Sequence, residues 1–339
     1  MAGKAIHGDG LKPVILTPGD PAGVGAEISL LAFAAGMRGF ILMEDPERLA
    51  AIASALDLNI EIKSFCAPEP LAHDHAFLPV LPLQWTERPV AGKGDSRNAE
   101  IIIASIRKAA AMAKDGSVVA IVTNPINKAI LKDAGFSHPG HTEFLASLAP
   151  TRPGGPLMML AGKSLRVVPA TVHIALRDVP AALTTDLIIT KGRLLDEALQ
   201  LYFGCSSPRI AVCGLNPHAG ENGQFGDEDQ RVIAPAVEAM KDEGIDTFGP
   251  LSADTLFHPE ARETYDAAIG MYHDQVLIPF KTIDFDGGVN VTLGLDFIRT
   301  SPDHGTTFDI AGTGKARPQS LMAAIRMARM MTSWRNPNG

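Results

Sequence analysis

The chain has 339 residues, of which 46% are hydrophobic, and its formal net charge at pH 7 is −8. Lys and Arg form no block, which argues against a nucleic-acid partner because phosphate-backbone binding needs clustered basic residues. The strongest apolar run, at 29–43, is interrupted by Arg38, so no membrane span is predicted. Three cysteines without metal-type spacing and an N-terminus without a signal-peptide core predict a cytoplasmic protein that lacks disulfides.

Short strand-like runs alternate with helical patterns in the first part of the chain. The Pro-rich segment 66–89 resists assignment and is expected to hold one further strand. The other predicted strands are 12–17, 39–43 and 117–123, and the predicted helices are the one that opens near Gly23, 46–56 and 98–114.

The middle of the chain adds an antiparallel element. Strand-like runs at 157–160 and 165–171 flank Gly162-Lys163-Ser164, which predicts a hairpin. Further along are the predicted helices 185–202, 229–241 and 318–334 and the predicted strands 209–213, 267–271, 276–283 and 289–293. Repeated βα alternation with one antiparallel insertion predicts an α/β protein with a mixed sheet.

Three histidines, His173, His218 and His273, stand where a strand-like run meets a polar turn. In an α/β chain the carboxyl ends of strands gather at one sheet edge, where ligands bind. Three imidazoles there could bind a divalent metal and leave a position open for substrate. A lone histidine at such a place is more often structural, but a carboxylate follows each one closely and could be a second-shell partner. These carboxylates are Asp178, Glu221 and Asp274.

Polar residues in two other motifs could bind an anion. In PGHTEF (139–144), His141 and Thr142 offer donors at a predicted helix start, although Thr142 could equally be the helix N-cap. Three more polar residues end strand-like segments and could clamp a phosphate or a carboxylate, or simply be solvated there. They are Lys281, Asn290 and Arg299.

A Gly-rich loop at 304–318, HGTTFDIAGTGKARP, can bring backbone N–H groups close to a nucleotide. The dinucleotide fingerprint G-x-G-x-x-G is absent, because GDPAGVG at 19–25 has the wrong spacing. A Rossmann cofactor site is therefore not predicted.

Eight blocks between residues 17 and 316 resemble, in order, the 4-hydroxythreonine-4-phosphate dehydrogenase family of vitamin B6 biosynthesis. They are TPGDPAGVG, VTNPINKA, GHTEFLA, LNPHAGENG, ADTLF, MYHDQ, GVNVTLGLDFIRTS and DHGTTFDIAGTGKA. The last block also resembles the adenosine-binding loop of isopropylmalate and isocitrate dehydrogenases, and the resemblance implies their fold of two α/β/α domains with a mixed sheet. It implies a nucleotide-side domain of 1–138 plus 300–339, and a central domain of 139–299 with the metal site and the dimer interface.

The resemblance also implies a role for single residues and a homodimer with its sites at the subunit interface, so the three histidines need not come from one chain. The metal ligands would be His173, His218 and His273; the substrate-binding residues His141, Thr142, Lys281, Asn290 and Arg299; the catalytic residues Asp254, Asp274 and Lys281; and the cofactor-binding residues His304, Gly305, Asp309 and Gly312.

The implied oxidoreductase reaction is NAD(P)-dependent oxidation of 4-(phosphooxy)-L-threonine at C3, giving 2-amino-3-oxo-4-(phosphooxy)butanoate, which decarboxylates to 3-amino-2-oxopropyl phosphate. One divalent metal per site (Zn²⁺, Mg²⁺ or Co²⁺) would activate the C3 oxygen, and either Asp274 or Lys281 would take its proton. Asp309 resembles an acidic residue that binds ribose hydroxyls and would repel a 2′-phosphate, which predicts a preference for NAD over NADP.

Other activities remain compatible with these motifs. Related dehydrogenases act on 4-phospho-threonate or erythronate or on aromatic cis-dihydrodiols, an acyl-phosphate acyltransferase shares the broad fold, and a non-catalytic metal-binding module is the simplest alternative. Three positions depart from the family pattern without touching a ligand position: Asn124, Asp296 and Thr307.

Overall fold

The computed structural model describes residues 11–138 and 140–335. They belong to two compact units: unit 1 lies within 1–148 and 297–329, and unit 2 lies within 149–296 and 330–339.

The described residues form twelve strands and eleven α-helices. The strands are β1 (Val14–Thr17), β2 (Phe40–Glu44), β3 (Glu61–Ser64), β4 (Phe77–Pro82), β5 (Ile121–Thr123), β6 (Leu157–Ala161), β7 (Arg166–Pro169), β8 (Ile210–Cys213), β9 (Thr247–Leu251), β10 (Ala267–Gly270), β11 (Val289–Leu293) and β12 (Arg299–Pro302). The helices are α1 (Gly25–Ala34), α2 (Pro46–Ala55), α3 (Ala99–Lys114), α4 (Lys128–Asp133), α5 (His141–Leu148), α6 (Val179–Ala182), α7 (Thr185–Phe203), α8 (Ala234–Asp242), α9 (Pro259–Arg262), α10 (His273–Ile283) and α11 (Gln319–Arg335).

The strands of unit 1 are all parallel, in the order β3-β4-β2-β1-β5-β12. Every residue of β1 is buried, as in parallel strands that are covered on both faces. The register pairs Thr17 with Thr123, so the loops that follow β1 and β5 leave the sheet side by side. The block VTNPINKA continues from β5 at this edge of the sheet.

The strands of unit 2 follow the order β11-β6-β7-β10-β8-β9. Strand β6 is antiparallel to both β11 and β7, which confirms the hairpin predicted around Gly162-Lys163-Ser164. The β7–β10, β10–β8 and β8–β9 pairs are parallel. The predicted α/β class with a mixed sheet is therefore confirmed.

The strand predicted at 276–283 is wrong, because these residues belong to helix α10. Val276, Leu277 and Phe280 are buried while Ile278 is exposed, which is a helical spacing within a short apolar run. The buried face packs in a core cluster with residues of β6, β7, β8 and β10. This packing fixes the start of α10, where His273 lies.

Sequence patterns missed several short elements, including β3, β9, β12 and the helix α4, whereas α5 begins at the predicted helix start. The strand expected in the Pro-rich segment is β4. In the described part of the chain, no helix combines the length and apolarity needed to cross a bilayer.

Candidate active site

The three histidines follow three neighbouring strands of unit 2. His173 comes after β7, His273 after β10 and His218 after β8, and these strands are parallel in the order β7-β10-β8. Their carboxyl ends therefore point to one edge of the sheet, where ligands of α/β proteins bind.

His173 and His273 form a pair, with ring centroids 5.7 Å apart. The Nδ1 atom of His273 lies 2.6 Å from Oδ1 of Asp274, the carboxylate predicted as its second-shell partner. This contact occupies Nδ1 and leaves Nε2 as the nitrogen that can bind a metal, the arrangement usual for metal-ligating histidines. Asp178, by contrast, forms an ion pair with its neighbour, in which Oδ1 lies 3.7 Å from Nε of Arg177.

A cavity of about 380 Å³ opens beside the pair and is lined by His173, His273 and Asp274. Exposed apolar side chains also line it, at 45%, 67% and 64% exposure. Exposed apolar residues grouped beside a polar site are typical of a surface that another protein covers. We call these three the apolar rim: Ile174, Leu176 and Ile278.

His218 lies in a turn with unusual backbone geometry. The φ angles of residues 218–222 are 53°, 51°, 79°, 39° and 57°, all left-handed, and only Gly220 among them is a glycine. His173 also has a positive φ, of 47°. Each such non-glycine residue costs about 1 kcal/mol or more, and this kind of strain concentrates at functional sites.

Within the described residues, no group of three His, Cys, Asp or Glu side chains is placed to hold a metal ion. His218 therefore does not join His173 and His273 in a three-ligand site of this single chain. It faces Asp254 instead. The Ser252 hydroxyl, 2.5 Å from Asp254 Oδ1, lowers the pKa of this exposed carboxyl, and the imidazole of His218 lowers it further.

Lys281 and Asn290 belong to unit 2. Lys281 lies in α10 with its Nζ 5.8 Å from the centre of the Phe285 ring. Asn290 lies in β11, and its buried Oδ1 has no hydrogen-bond partner within the described chain. The amide oxygen of Asn290 is thus an acceptor for a donor that a ligand would supply.

His141, Thr142 and Arg299 belong to unit 1. Helix α5 begins at His141, so Thr142 is its second residue and not its N-cap. The Nε2 atom of His141 is buried and has no partner among the described residues. Burial, followed by the charges of Arg299 and Lys128, holds the pKa of His141 well below its ordinary value of 6.5. The imidazole is therefore neutral at pH 7.

Arg299, at the start of β12, is 3% exposed. Its Nη2 donates to the Thr123 hydroxyl at 2.7 Å. Burial lowers its pKa to about 10, while Glu143 opposes this shift, so the guanidinium remains charged at pH 7. A buried guanidinium beside Lys128 and His141 is suited to a phosphate or carboxylate ligand. We call Lys128, His141 and Arg299 the anion cluster.

The predicted cofactor residues lie in a loop of unit 1. The His304 Nδ1 atom is 2.9 Å from the Gly305 carbonyl oxygen, and a Cβ added at Gly305 would meet no atom within 4 Å. Asp309 is exposed and can reach a ligand. Gly312 has a φ of 74°, which favours glycine.

Helix α1 holds this loop at two points. The Val24 amide donates to the Thr306 carbonyl at 3.1 Å, and the Gly312 amide donates to Oε2 of Glu27 at 2.9 Å. Glu27 is 3% exposed, so this bond is shielded from water. The carboxylate of Glu27 thereby fixes the part of the loop that follows Asp309.

Sequence patterns did not single out Lys128, Glu27, Asp229 or Gln275. The Gln275 amide links two strand ends, because Nε2 donates to the Gly214 carbonyl at 2.7 Å and Oε1 accepts from the Met271 amide at 2.6 Å. A carboxylate or amide side chain within an apolar run is a sequence signal for such residues, but the signal does not identify the hydrogen-bond partner. The hydrogen-bond partner of each residue is known only from the folded structure.

A family model described as Pyridoxal phosphate biosynthetic protein PdxA matches residues 37–328. The 4-hydroxythreonine-4-phosphate dehydrogenase of Xanthobacter autotrophicus is 49% identical, covering 94% of this chain and 93% of its own. The crystal structure of 4-hydroxythreonine-4-phosphate dehydrogenase from Klebsiella pneumoniae has a TM-score of 0.85 and 38% identity, covering 95% of this chain and 99% of that chain.

A terephthalate 1,2-cis-dihydrodiol dehydrogenase from Burkholderia xenovorans is less similar. Its crystal structure has a TM-score of 0.63 and 29% identity, covering 94% of this chain and 98% of that chain. The family model and the relatives agree with the motifs that run from residue 17 to residue 316. The chain therefore belongs to the PdxA family of pyridoxal phosphate biosynthetic proteins.

Proposed function

We propose that the chain is a 4-hydroxythreonine-4-phosphate dehydrogenase of pyridoxal phosphate biosynthesis. It oxidises C3 of 4-(phosphooxy)-L-threonine with NAD(P)⁺ to 2-amino-3-oxo-4-(phosphooxy)butanoate, which decarboxylates to 3-amino-2-oxopropyl phosphate. The observation that carries this proposal is the 49% identity, along nearly the whole chain, to an enzyme of that name. The buried charge of Arg299 agrees with it, because it favours an anionic substrate.

The anion cluster binds one anionic end of the substrate, and Thr142 adds a hydroxyl. The guanidinium of Arg299 supplies a fixed charge, and neutral His141 supplies a ring N–H donor. Asn290 and Lys281 bind the polar groups at other positions of the substrate. Within each unit, such contacts restrain the substrate groups that they bind.

The donor set of unit 2 fits a divalent metal in part, since two imidazoles are paired and one is held through Nδ1 by a carboxylate. His173, His218 and His273 would hold the metal. When bound, Zn²⁺, Co²⁺ or Mg²⁺ supplies Lewis acidity at the C3 oxygen. Asp274 takes the hydroxyl proton: Oδ1 orients His273, and its exposed second oxygen accepts the proton.

The active protein is a homodimer whose metal site is completed by a second copy. Two observations support this: His218 does not join the other two histidines within one chain, and the apolar rim beside them is exposed. A second copy that covers the apolar rim would bring its own His218 to the His173–His273 pair.

Mixed dimers test this arrangement. A purified heterodimer of a His173→Ala chain and a His218→Ala chain has one intact site if the ligands come from two chains, and it should retain about half of the wild-type activity. If all three ligands came from one chain, both sites would be damaged and the heterodimer would be inactive. Each mutant homodimer, inactive in either case, is the control.

The cofactor binds at the 304–318 loop, where His304, Gly305 and Gly312 offer backbone and ring donors. Asp309 hydrogen-bonds the ribose hydroxyls, and its charge disfavours the 2′-phosphate of NADP. This assignment rests on the resemblance of the loop and on the exposure of Asp309.

Product analysis tests the proposed activity. The purified protein is assayed with NAD⁺ and Zn²⁺, Co²⁺ or Mg²⁺ on 4-(phosphooxy)-L-threonine, 4-phospho-threonate, 4-phospho-erythronate and an aromatic cis-dihydrodiol. NADH formation with 3-amino-2-oxopropyl phosphate as product is expected from the first compound. A higher kcat/KM for a dihydrodiol or for a phospho-sugar acid would overturn the proposed substrate and leave the dehydrogenase class intact.

A further inference from the structure

The side chain of Asp229 is completely buried directly behind the turn that carries His218. It lies in a π-helical turn, Asp229–Ile233, that precedes α8. Its Oδ1 accepts the Leu215 amide at 2.8 Å, and its Oδ2 accepts the amide and the side-chain Nδ2 of Asn216 at 3.2 and 3.0 Å. One carboxylate therefore fixes the two residues that lead from β8 into the His218 turn.

The carboxylate also fills the space under that turn. A Cβ added at Gly214 would lie 2.6 Å from Oδ1 of Asp229, and one added at Gly220 would lie 3.2 Å from its Oδ2. The glycines let the backbone wrap closely around the carboxylate. The left-handed residues at 218–222 are thus packed against a group that binds the preceding residues.

A left-handed run of this length needs such support. Strained backbone persists only where the surrounding structure over-determines it. Among the described residues, no Lys, Arg or His forms an ion pair with Asp229, and its hydrogen-bond partners are N–H donors of the segment that leads into the turn. Charged hydrogen bonds to backbone N–H groups are about twice as strong as neutral ones, which suits them to hold a strained loop.

We propose that Asp229 is a positioning residue for His218: it sets the place of the imidazole that binds the divalent metal, and it does not touch the metal itself. This inference rests on the metal site of the proposed function. Outer residues that orient metal ligands typically contribute about 10- to 100-fold to metal affinity.

Metal affinity of the dimeric protein, without substrate or cofactor, is the direct test. Zn²⁺ and Co²⁺ affinities are measured by competition with a chelator for wild type, Asp229→Asn and the control Asp227→Asn. Asp227 is two residues away, exposed, and paired with Arg231. We expect Asp229→Asn to weaken metal binding about 10- to 100-fold, and Asp227→Asn to leave it unchanged. Excess metal should restore most of the kcat of Asp229→Asn.

A double variant separates positioning from general destabilisation. In a His218→Ala background the imidazole is gone, so adding Asp229→Asn should weaken metal binding no further. A further loss of the full size would overturn the proposal, as would wild-type affinity in Asp229→Asn alone. If Asp229→Asn does not fold, Asn216→Ala removes the side-chain bonds from Asn216 to Asp229 and to Glu228 and keeps the carboxylate of Asp229. Wild-type metal affinity in Asn216→Ala would overturn the proposal too.

The controls also distinguish this inference from the proposed function. If the wild-type protein binds no divalent metal, or if His218→Ala binds it as tightly as wild type, the proposed metal site is wrong. If both behave as expected and the Asp229 variants bind normally, only the positioning role is wrong.

Discussion

The two units prepare their candidate ligand-binding groups in different ways. In unit 1, Arg299 is a charge buried in a sheet, next to a neutral His141 and the exposed Lys128. In unit 2, His173 and His218 have left-handed backbone conformations and His273 begins α10, and His173 and His273 are not deeply buried. In unit 1, burial of a charged side chain prepares the site for an anion. In unit 2, the backbone conformation sets the positions of the imidazoles. Mutations should therefore affect the two regions differently.

The largest expected effect is in the anion cluster. Arg299→Met should lower kcat/KM for the phosphorylated substrate about 10³-fold, because losing one member of a buried charge pair costs roughly 2–5 kcal/mol. The same change removes the hydrogen bond that Arg299 donates to Thr123, so the free energy of unfolding should fall by about 1 kcal/mol. Steady-state kinetics and urea unfolding measure both quantities.

Arg152 is the matched control for Arg299, because its guanidinium is half exposed in a surface pair with Glu197. Arg152→Met should leave kcat/KM within about twofold of wild type, since exposed ion pairs contribute little. A large fall in stability for Arg299→Met without a fall in kcat/KM would show that Arg299 has a structural role.

The next effect belongs to unit 2 and separates orientation from proton transfer. Asp274→Asn keeps an oxygen that can accept from His273 Nδ1, so metal content should remain. It loses the proton acceptor, so kcat should fall about 10²-fold. Metal analysis and kcat at saturating substrate test this, with Asp178→Asn as the control carboxylate beside another histidine turn. Full kcat in Asp274→Asn would move the base to Lys281.

The outcome for these residues shows what a single sequence can predict. Strand alternation predicts the sheets, and the positions of the three histidines after β7, β8 and β10 follow from it. The sequence pattern predicts a strand where α10 lies, because the apolar run at 276–280 is too short to separate helical from strand periodicity.

The sequence patterns do not predict which distant residues contact one another in the folded protein. Asn124 is fully buried and donates to the Thr17 carbonyl at 3.1 Å and to Ser29 Oγ at 3.2 Å. It ties β5 to β1 and α1, across about a hundred residues of sequence. Glu27 and Asp229 likewise act on distant residues. Their roles depend on which loops the fold brings together, and no local spacing encodes that.

A smaller effect is expected at the cofactor loop. In the proposed cofactor site the Asp309 carboxylate repels a 2′-phosphate, so wild type should prefer NAD to NADP by about tenfold or more in kcat/KM, roughly 1.4 kcal/mol. Asp309→Asn should reduce this preference, whereas Asp133→Asn, an exposed carboxylate of α4, should not. A tenfold preference for NADP in wild type would refute the role of Asp309.

The smallest effect concerns the protonation of His141. Its pKa lies well below 6.5 in the folded protein, because burial, Arg299 and Lys128 disfavour the imidazolium, and Glu143 is the carboxylate nearby. The unfolded chain binds a proton near pH 6.5 and the folded chain does not, so the free energy of unfolding falls as the pH drops below about 6.5. For a single group this slope approaches about 1.4 kcal/mol per pH unit.

Comparison of wild type with His141→Asn isolates this contribution from the other nine histidines. Urea unfolding is measured between about pH 7.5 and 5.5, which spans the ordinary pKa of histidine. The variant should lose less stability than wild type over this range. His73→Asn, at an exposed position, should follow wild type. Bound inorganic phosphate would favour the imidazolium, so it should flatten the wild-type slope but not that of His141→Asn. Equal slopes of unfolding free energy against pH for all three proteins would mean that His141 is protonated or solvated in the folded state. The anion cluster would then not differ from the exposed histidines of unit 2 through desolvation.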